Sequence, residues 1–247
     1  MTRENDQGFE QSNLSARVVY QDGDLLVVDK PSGLLVHRGW GRDAITLVDL
    51  VRQLLGEKSV YPIHRIDRGT SGVVAFARTP EVAAKLGELQ CLGKVRKTYL
   101  ALVRGASPAS GVINHPIPRI PGGARVPART VFKTLFTAPA LPRSLSLVEA
   151  SLDQGRLHQV RRHLKHIDHP VIGDANYGKG DLNRAIAERY GLKRLALHAA
   201  QIEFPHPTTG KTLICSAPLP DDLKIPFCHI GIPADAWTMC EYGGLRS

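Results

Sequence analysis

The segment His64-Arg65-Ile66-Asp67-Arg68-Gly69-Thr70-Ser71-Gly72 sets one carboxylate between two arginines, in a stretch that can continue neither as a helix nor as a strand. Asp67 is thereby held where chemistry could use it. Gly69 and Gly72 permit positive φ, and Thr70 and Ser71 offer hydroxyls to orphan backbone groups. Val73 to Ala77 then reads as a buried strand, which makes the segment a loop entering the core. Taken alone it also fits a plain turn in which Asp67 ties backbone amides to Arg65 or Arg68. The His-Arg-x-Asp string occurs in kinase catalytic loops too, but Gly72 stands where a kinase needs Asn, and the chain has neither a glycine-rich phosphate loop nor D-F-G.

A second cluster runs Gly155-Arg156-Leu157-His158-Gln159-Val160-Arg161-Arg162-His163. Leu157, Val160, Leu164 and Ile167 predict a helix beginning near Leu157, which Pro170 ends. That phase puts His158, Arg161 and Lys165 on one flank, with Gln159, Arg162 and His166 opposite. Arg156 falls at the helix start, where the macrodipole disfavours a cation, so a compensating anion is expected beside it. Lys97-Thr98-Tyr99 is the third candidate, a cation and an aromatic on a predicted strand. Histidines 158, 163, 166 and 169 share this region, but no cysteine or carboxylate completes a four-ligand set, and no metal site is expected.

Charge narrows the partner. The 247 residues carry 32 Lys and Arg against 23 Asp and Glu, a net charge of +9. No acidic residue lies between Glu88 and Glu149, whereas Lys94, Arg96, Lys97, Arg104, Arg119, Arg125, Arg129, Lys133 and Arg143 do, so the excess sits in one block and the rest balances. Such a block reads as a phosphate-binding surface. Cys91, Cys215, Cys228 and Cys240 form no C-x-x-C pair, as in a reduced cytosolic protein. The polar start is neither signal peptide nor anchor, and no apolar run reaches the roughly 18 residues of a membrane span.

The elements that must position these residues follow from patterning. Residues 1–14 read as a disordered lead-in. A hairpin over Val18-Val19-Tyr20 and Leu25 to Val28 follows, then a short strand at Leu34-Leu35-Val36. Thr46 caps a helix stopped by Gly56, and Thr79-Pro80 opens another. Strands are expected at 99–103, 112–113, 131–133, 146–150, 195–199, 201–204 and 211–214. Short helices among many strands, without regular βαβ alternation, indicate an α+β fold with a mixed or antiparallel sheet. One domain is expected over 15–227, and residues 228–247 form a tail of unknown role.

His64 to Gly72 resembles the catalytic loop of the RluA family of RNA pseudouridine synthases. Gly155 to His163 is similar to that family's G-R-x-H-Q-[IV]-R-x-H motif, Lys97-Thr98-Tyr99 to its K-x-Y motif, and Arg194-Leu195-Ala196-Leu197-His198-Ala199 to its R-x-x-L-H-A segment. The likeness spans residues 16 to 220. It implies one catalytic domain on a bifurcated, mostly antiparallel sheet with a central RNA cleft. It implies Asp67 as the essential residue, Tyr99 against the target base, and Arg156 paired with Asp67. His64, Arg65, Arg68, Lys97, His158, Arg161, Arg162 and Lys165 would contact RNA, with Arg65 filling the gap left by a flipped nucleotide. Ile172-Gly173-Asp174 and Gly178 to Arg184 most resemble the tRNA-modifying TruC branch, which implies tRNA, at uridine 65, over ribosomal RNA. The S4-like domain of some ribosomal relatives is expected to be lacking. Isomerisation needs no cofactor, and a cytoplasmic monomer is expected. A non-catalytic RNA-binding factor and a hydrolase using Asp67 with His64 are the competing readings. The hydrolase lacks a second carboxylate or a metal.

Overall fold

Asp22 turns the first hairpin: its Oδ1 accepts from the amides of Asp24 and Leu25 at 2.8 and 2.7 Å, joining β1 (Val18–Gln21) to β2 (Leu25–Lys30). The computed structural model describes residues 14–38, 45–120 and 122–238. Most of the expected lead-in, and the end of the expected tail, lie outside them.

Helix α1 (Leu47–Leu55) buries Leu47, Val48, Leu50 and Val51, as its apolar spacing requires. Thr46 and Asp49 form a reciprocal capping box at its start, and Gly56 ends it in the left-handed conformation. Thr46→Ala should therefore cost about 1 kcal/mol. In a chain of this size that lowers the thermal midpoint by about 2–4 °C, which calorimetry would read. Leu34-Leu35-Val36 is not the expected strand. The carbonyls of Leu35 and Val36 instead accept the orphan amides of Leu47 and Val48, which leaves them nothing to offer a neighbouring strand.

Two-residue β3 (Tyr61–Pro62) leads through the Asp67 loop to β4 (Ser71–Ala77), every residue of which is buried. Helix α2 (Pro80–Cys91), capped by Thr79, connects to β5 (Arg96–Arg104). After β6 (Ser110–Asn114), a separate small hairpin pairs β7 (Ile117–Pro118) with β8 (Arg125–Val126). β9 (Arg129–Ala138) and β10 (Leu145–Leu152) run into α3 (Gln159–His166), and α4 (Gly180–Tyr190), β11 (Leu197–Pro205), β12 (Thr212–Ser216), α5 (Asp221–Ile230) and α6 (Asp235–Thr238) complete the chain.

The ten-stranded sheet runs β1-β2-β4-β11-β5-β10-β9-β6, with β3 also on β4 and β12 also on β11. It is mixed but mostly antiparallel, and its one parallel pairing joins β4 to β11. Since β4 and β11 each bond three neighbours, the sheet branches at its middle, as the α+β reading expects. Ala199 on β11 is opposite both Gly72 on β4 and Tyr99 on β5. Gly72 is required there: its φ is +114°, and a Cβ would lie 2.1 Å from the Ala199 carbonyl oxygen. This close approach brings the Asp67 loop to within one strand of Tyr99.

The boundary expected at residue 227 falls inside α5, and Phe227, Ile230, Ile232 and Trp237 are all buried in the common core. Residues 228–238 are thus packed structure rather than a tail. Pro226 inside α5 and the weak apolar stripe of α4 hide both helices from a periodicity reading.

Candidate active site

A cavity of about 440 Å³ opens beside the Asp67 loop. Asp67, Tyr99 and Arg156 line it, as do His64, Arg65, Lys97, His158 and Arg161 from the expected RNA-contacting set. Arg68 lines no described cavity, and its Nε donates to the Gly33 carbonyl at 2.9 Å. Arg162 and Lys165 line a second cavity.

Backbone bonds fix the Asp67 loop from below. The Thr70 amide closes a turn on the Asp67 carbonyl at 3.0 Å, and the Gly33 amide donates to the Arg68 carbonyl at 2.8 Å. Lys30, fully buried, donates from Nζ to the carbonyls of Pro31 and Leu34 at 2.7 Å and of Arg68 at 3.3 Å. Desolvation pushes this amine down to about 7, yet three carbonyl acceptors match the three donors of an ammonium. At the exit of the loop, Arg194 Nη2 and His198 Nδ1 both bond Ser71 Oγ at 2.9 Å. Arg194 and His198, from the R-x-x-L-H-A segment, thereby pin the entry to β4. Burial drives His198 down to about 4 and keeps it neutral.

The carboxylate of Asp67 is aimed by Arg161, not by Arg156. Arg161 Nη1 donates to Asp67 Oδ2 at 2.8 Å, while its Nε and Nη2 grip Asp174 Oδ2 and Oδ1 at 2.7 and 2.8 Å. Burial opposes the charge on Asp174, but Arg161 and the amides of Tyr177 and Asn176 outweigh it and hold this carboxyl below its ordinary range. Burial likewise opposes the charge on Arg161, and its bonds to Asp174 and Asp67 override that, so the guanidinium stays charged. Arg161, only 7% exposed, is a strut between two carboxylates.

The expected Arg156–Asp67 pair fails because the helix starts later than its apolar stripe suggests. His158 takes a left-handed conformation, φ 52° and ψ 34°, and α3 begins at Gln159. Arg156 lies before that kink, with its amide on Gln159 Oε1 at 3.0 Å and Nη2 on Gln154 Oε1 at 2.9 Å. A left-handed non-glycine residue is strained, and such strain collects at functional sites. Tyr177 fixes the ring of His158. Its hydroxyl oxygen accepts from Arg162 Nε at 2.7 Å and shares a hydrogen bond with His158 Nδ1, 3.0 Å away. The other ring nitrogen, Nε2, lies 3.8 Å from Asp67 Oδ1. Burial, reinforced by Arg161 and Arg162 and opposed by Asp67, lowers the pKa of this imidazole.

Burial shifts several other groups of the wall. Burial, helped by the charge of Asp67, raises the Tyr99 phenol far above its ordinary pKa, so it enters the reaction protonated. Desolvation, with Lys97 adding repulsion, takes His64 down to about 3. His64 Nε2 accepts from the Ala75 amide at 3.2 Å, which leaves the proton on Nδ1. Lys97, expected on the RNA face, is 3% exposed, and burial lowers its amine to about 8 against the pull of Asp153. Among the described residues, four buried side-chain polar atoms lack a hydrogen-bond partner, and His64 Nδ1, Thr70 Oγ1 and Arg156 Nε all belong to residues lining this cavity. Unmet polar groups around one cavity suit a polar ligand. No cluster of metal-ligating side chains occurs among the described residues.

Asp174, Tyr177 and Thr70 were not among the sequence candidates. Asp174 carries a weak signal, an acid between Gly173 and two amides able to cap it, but its partner is 13 residues away and cannot be read locally.

A mostly antiparallel sheet that branches at its middle, with a carboxylate–arginine pair beside the branch, frames the site. A family profile described as RNA pseudouridylate synthase matches residues 24–166, and the chain belongs to that family, whose members are isomerases converting uridine to pseudouridine. It is 37% identical to tRNA pseudouridine synthase C of Haemophilus ducreyi over 87% of this chain and 95% of that one. It is also 36% identical to ribosomal large subunit pseudouridine synthase D of Xanthomonas campestris pv. campestris, over 86% of this chain and 68% of that protein. Human RNA Pseudouridylate Synthase Domain Containing 4 superposes with a TM-score of 0.72 at 26% identity, covering 90% of this chain and 95% of that one.

Proposed function

We propose that this protein isomerises a uridine of tRNA to pseudouridine, with position 65 the first to probe. The observation that carries the chemistry is Asp67, held by Arg161 on the wall of a cavity with a neutral phenol, Tyr99, on the same wall. Breaking N1–C1′, turning the uracil and forming C5–C1′ moves one proton from C5 to N1 and needs nothing from outside. Asp67 acts on the ribose, as nucleophile at C1′ or base at C2′, and Tyr99 packs on the base and handles a proton. The uridine must leave its stack to reach this cavity. Arg65, exposed at the rim with Nη1 3.4 Å from His37 Nε2, would take its place. The protein would act in the cytoplasm as a monomer, and light scattering tests the oligomeric state.

The tRNA assignment is supported by the coverage of the tRNA relatives, such as 95% for the Haemophilus protein. The second reading, large-subunit ribosomal RNA, is supported by the 36% identity to the Xanthomonas protein. Incubating each RNA with the protein and mapping alkali-resistant carbodiimide adducts separates the two; modification of ribosomal RNA alone would overturn the first.

Tyr99→Phe keeps the ring and removes the hydroxyl. RNA affinity should stay within about twofold while turnover falls about 10²-fold, the range of one general acid–base group. Filter binding and single-turnover kinetics check this, and equal losses in both would make Tyr99 a packing residue only.

A further inference from the structure

The second cavity, about 370 Å³, lies between the β7–β8 hairpin and α3. His115, Arg125, Arg162, Lys165 and His166 line it, and Asp168 is the one carboxylate in its wall. Three permanent cations face one anion there. The imidazoles of His115 and His166 stack at 3.8 Å between centroids and 20° between planes. Arg125 Nη1 donates to His115 Nε2 at 3.0 Å, so the lone pair of that nitrogen is engaged and the ring is neutral. The walls are held in place. Buried His163 bonds the His115 carbonyl through Nε2 at 2.9 Å and Thr130 Oγ1 through Nδ1 at 2.8 Å, and so ties the entry to the hairpin onto α3. Arg162 is held by its bond to the Tyr177 hydroxyl, with its guanidinium carbon 5.6 Å from the centre of that ring.

A proton added to the His115 ring meets the stacked His166, Arg125, Arg162 and Lys165, with Asp168 the one carboxylate in the wall to offset it. Slight desolvation, the neighbouring imidazole and Arg125 accordingly depress His115. An anion in the cavity reverses this balance: it relieves the repulsion among the cations and favours a proton on the stack. The cavity adjoins the first one through Tyr177, whose hydroxyl bonds Arg162 on one side and His158 on the other.

We propose that this cavity is a subsite for a backbone phosphate of the RNA beside the target nucleotide, and that the His115–His166 pair takes up a proton when the phosphate enters. The proposal rests on the RNA reading above for the identity of the ligand, but not for its phosphate chemistry. Fixed arginines and a lysine supply the sequence-independent part of the grip, and the imidazoles make it stronger in mild acid.

Two measurements test it. In the first, inorganic phosphate is titrated into the wild-type protein while the histidine ring signals are followed by NMR. Phosphate should shift the His115 and His166 signals and raise their titration midpoints, and an Arg125→Ala, Lys165→Ala protein with an unchanged melting curve should show neither effect. In the second, affinity for unfractionated tRNA is measured from pH 5.5 to 8 in the Asp67→Asn background. The parent should bind about tenfold more weakly at the upper end, as one linked titration unit gives. His115→Gln, His166→Gln should bind with a flat profile, and Arg125→Ala should lower the log affinity–log salt slope by about 0.7–0.9. Ring signals indifferent to phosphate, or a pH profile surviving the double Gln substitution, would overturn the subsite. A positive phosphate titration in a protein that isomerises no RNA would overturn the proposed function alone.

Discussion

Asp67→Asn is expected to lower isomerisation by about 10⁴-fold or more, while the melting temperature and RNA affinity stay close to those of the wild type. Asparagine is isosteric with aspartate and its carbonyl oxygen can still accept from Arg161, so the strut to Asp174 is kept. What it loses is the charge, and with it the ability to attack C1′ or to take a proton from C2′. Single-turnover assays with protein in excess of RNA and above the dissociation constant read the rate, and calorimetry reads the fold. Substantial turnover by this variant would remove Asp67 from the chemistry.

Arg161→Met should be the most damaging single change to both stability and activity. It leaves Asp174, 1% exposed, without its cation, a situation that costs about 3–5 kcal/mol. The pH dependence supplies a signature. In the wild type the Asp174 pKa is lowered below the ordinary 3.8, so its contribution is fully present above that pH and is lost as pH falls toward the depressed value. Without Arg161, burial pushes Asp174 upward instead, the folded state holds the proton longer than the unfolded one, and stability declines as pH rises through and beyond that range. Urea titrations at several pH values would show the reversal. Arg161→Lys should fold, because one ammonium can still meet a carboxylate, but it cannot bridge Asp67 and Asp174 with three aimed donors. We expect about 10²-fold slower turnover from it with little change in RNA affinity. A lysine variant as active as wild type would mean that Asp67 does not need to be aimed.

The Asp67 loop and Tyr99 are legible in the sequence because local chemistry defines them: glycines that free the backbone, hydroxyls that satisfy it, and a buried strand on the far side. The arginine partner of Asp67 is not. Leu157, Val160 and Leu164 set a helical phase from Leu157, but His158 turns left-handed and delays α3 by two residues, which moves Arg156 outside it. Arg161 looks like one flank of a basic helix until Asp67, 94 residues away, and Asp174 close over it. Partners contributed by distant segments leave no periodic trace. The same holds for Lys30, which the fold buries under the Asp67 loop on three carbonyls. The acid-free block is only partly a surface: Arg119 and Arg125 reach the two cavities, whereas Lys97 is buried beside Tyr99. Helix α5 goes unread because Pro226 lies within it, and its Phe227 and Ile230 pack into the core.

Isomerisation replaces the hydrogen on C5 of the target uracil with the bond to C1′, and neither cleaves the strand nor frees a base. The most direct test is therefore tritium release from tRNA transcribed with 5-tritiated uridine, followed alongside the integrity of the strand. The account predicts tritium entering water up to one equivalent per tRNA, from intact RNA of unchanged mass apart from the label, and none with Asp67→Asn. Free uracil, strand scission, or binding without any tritium release would contradict it.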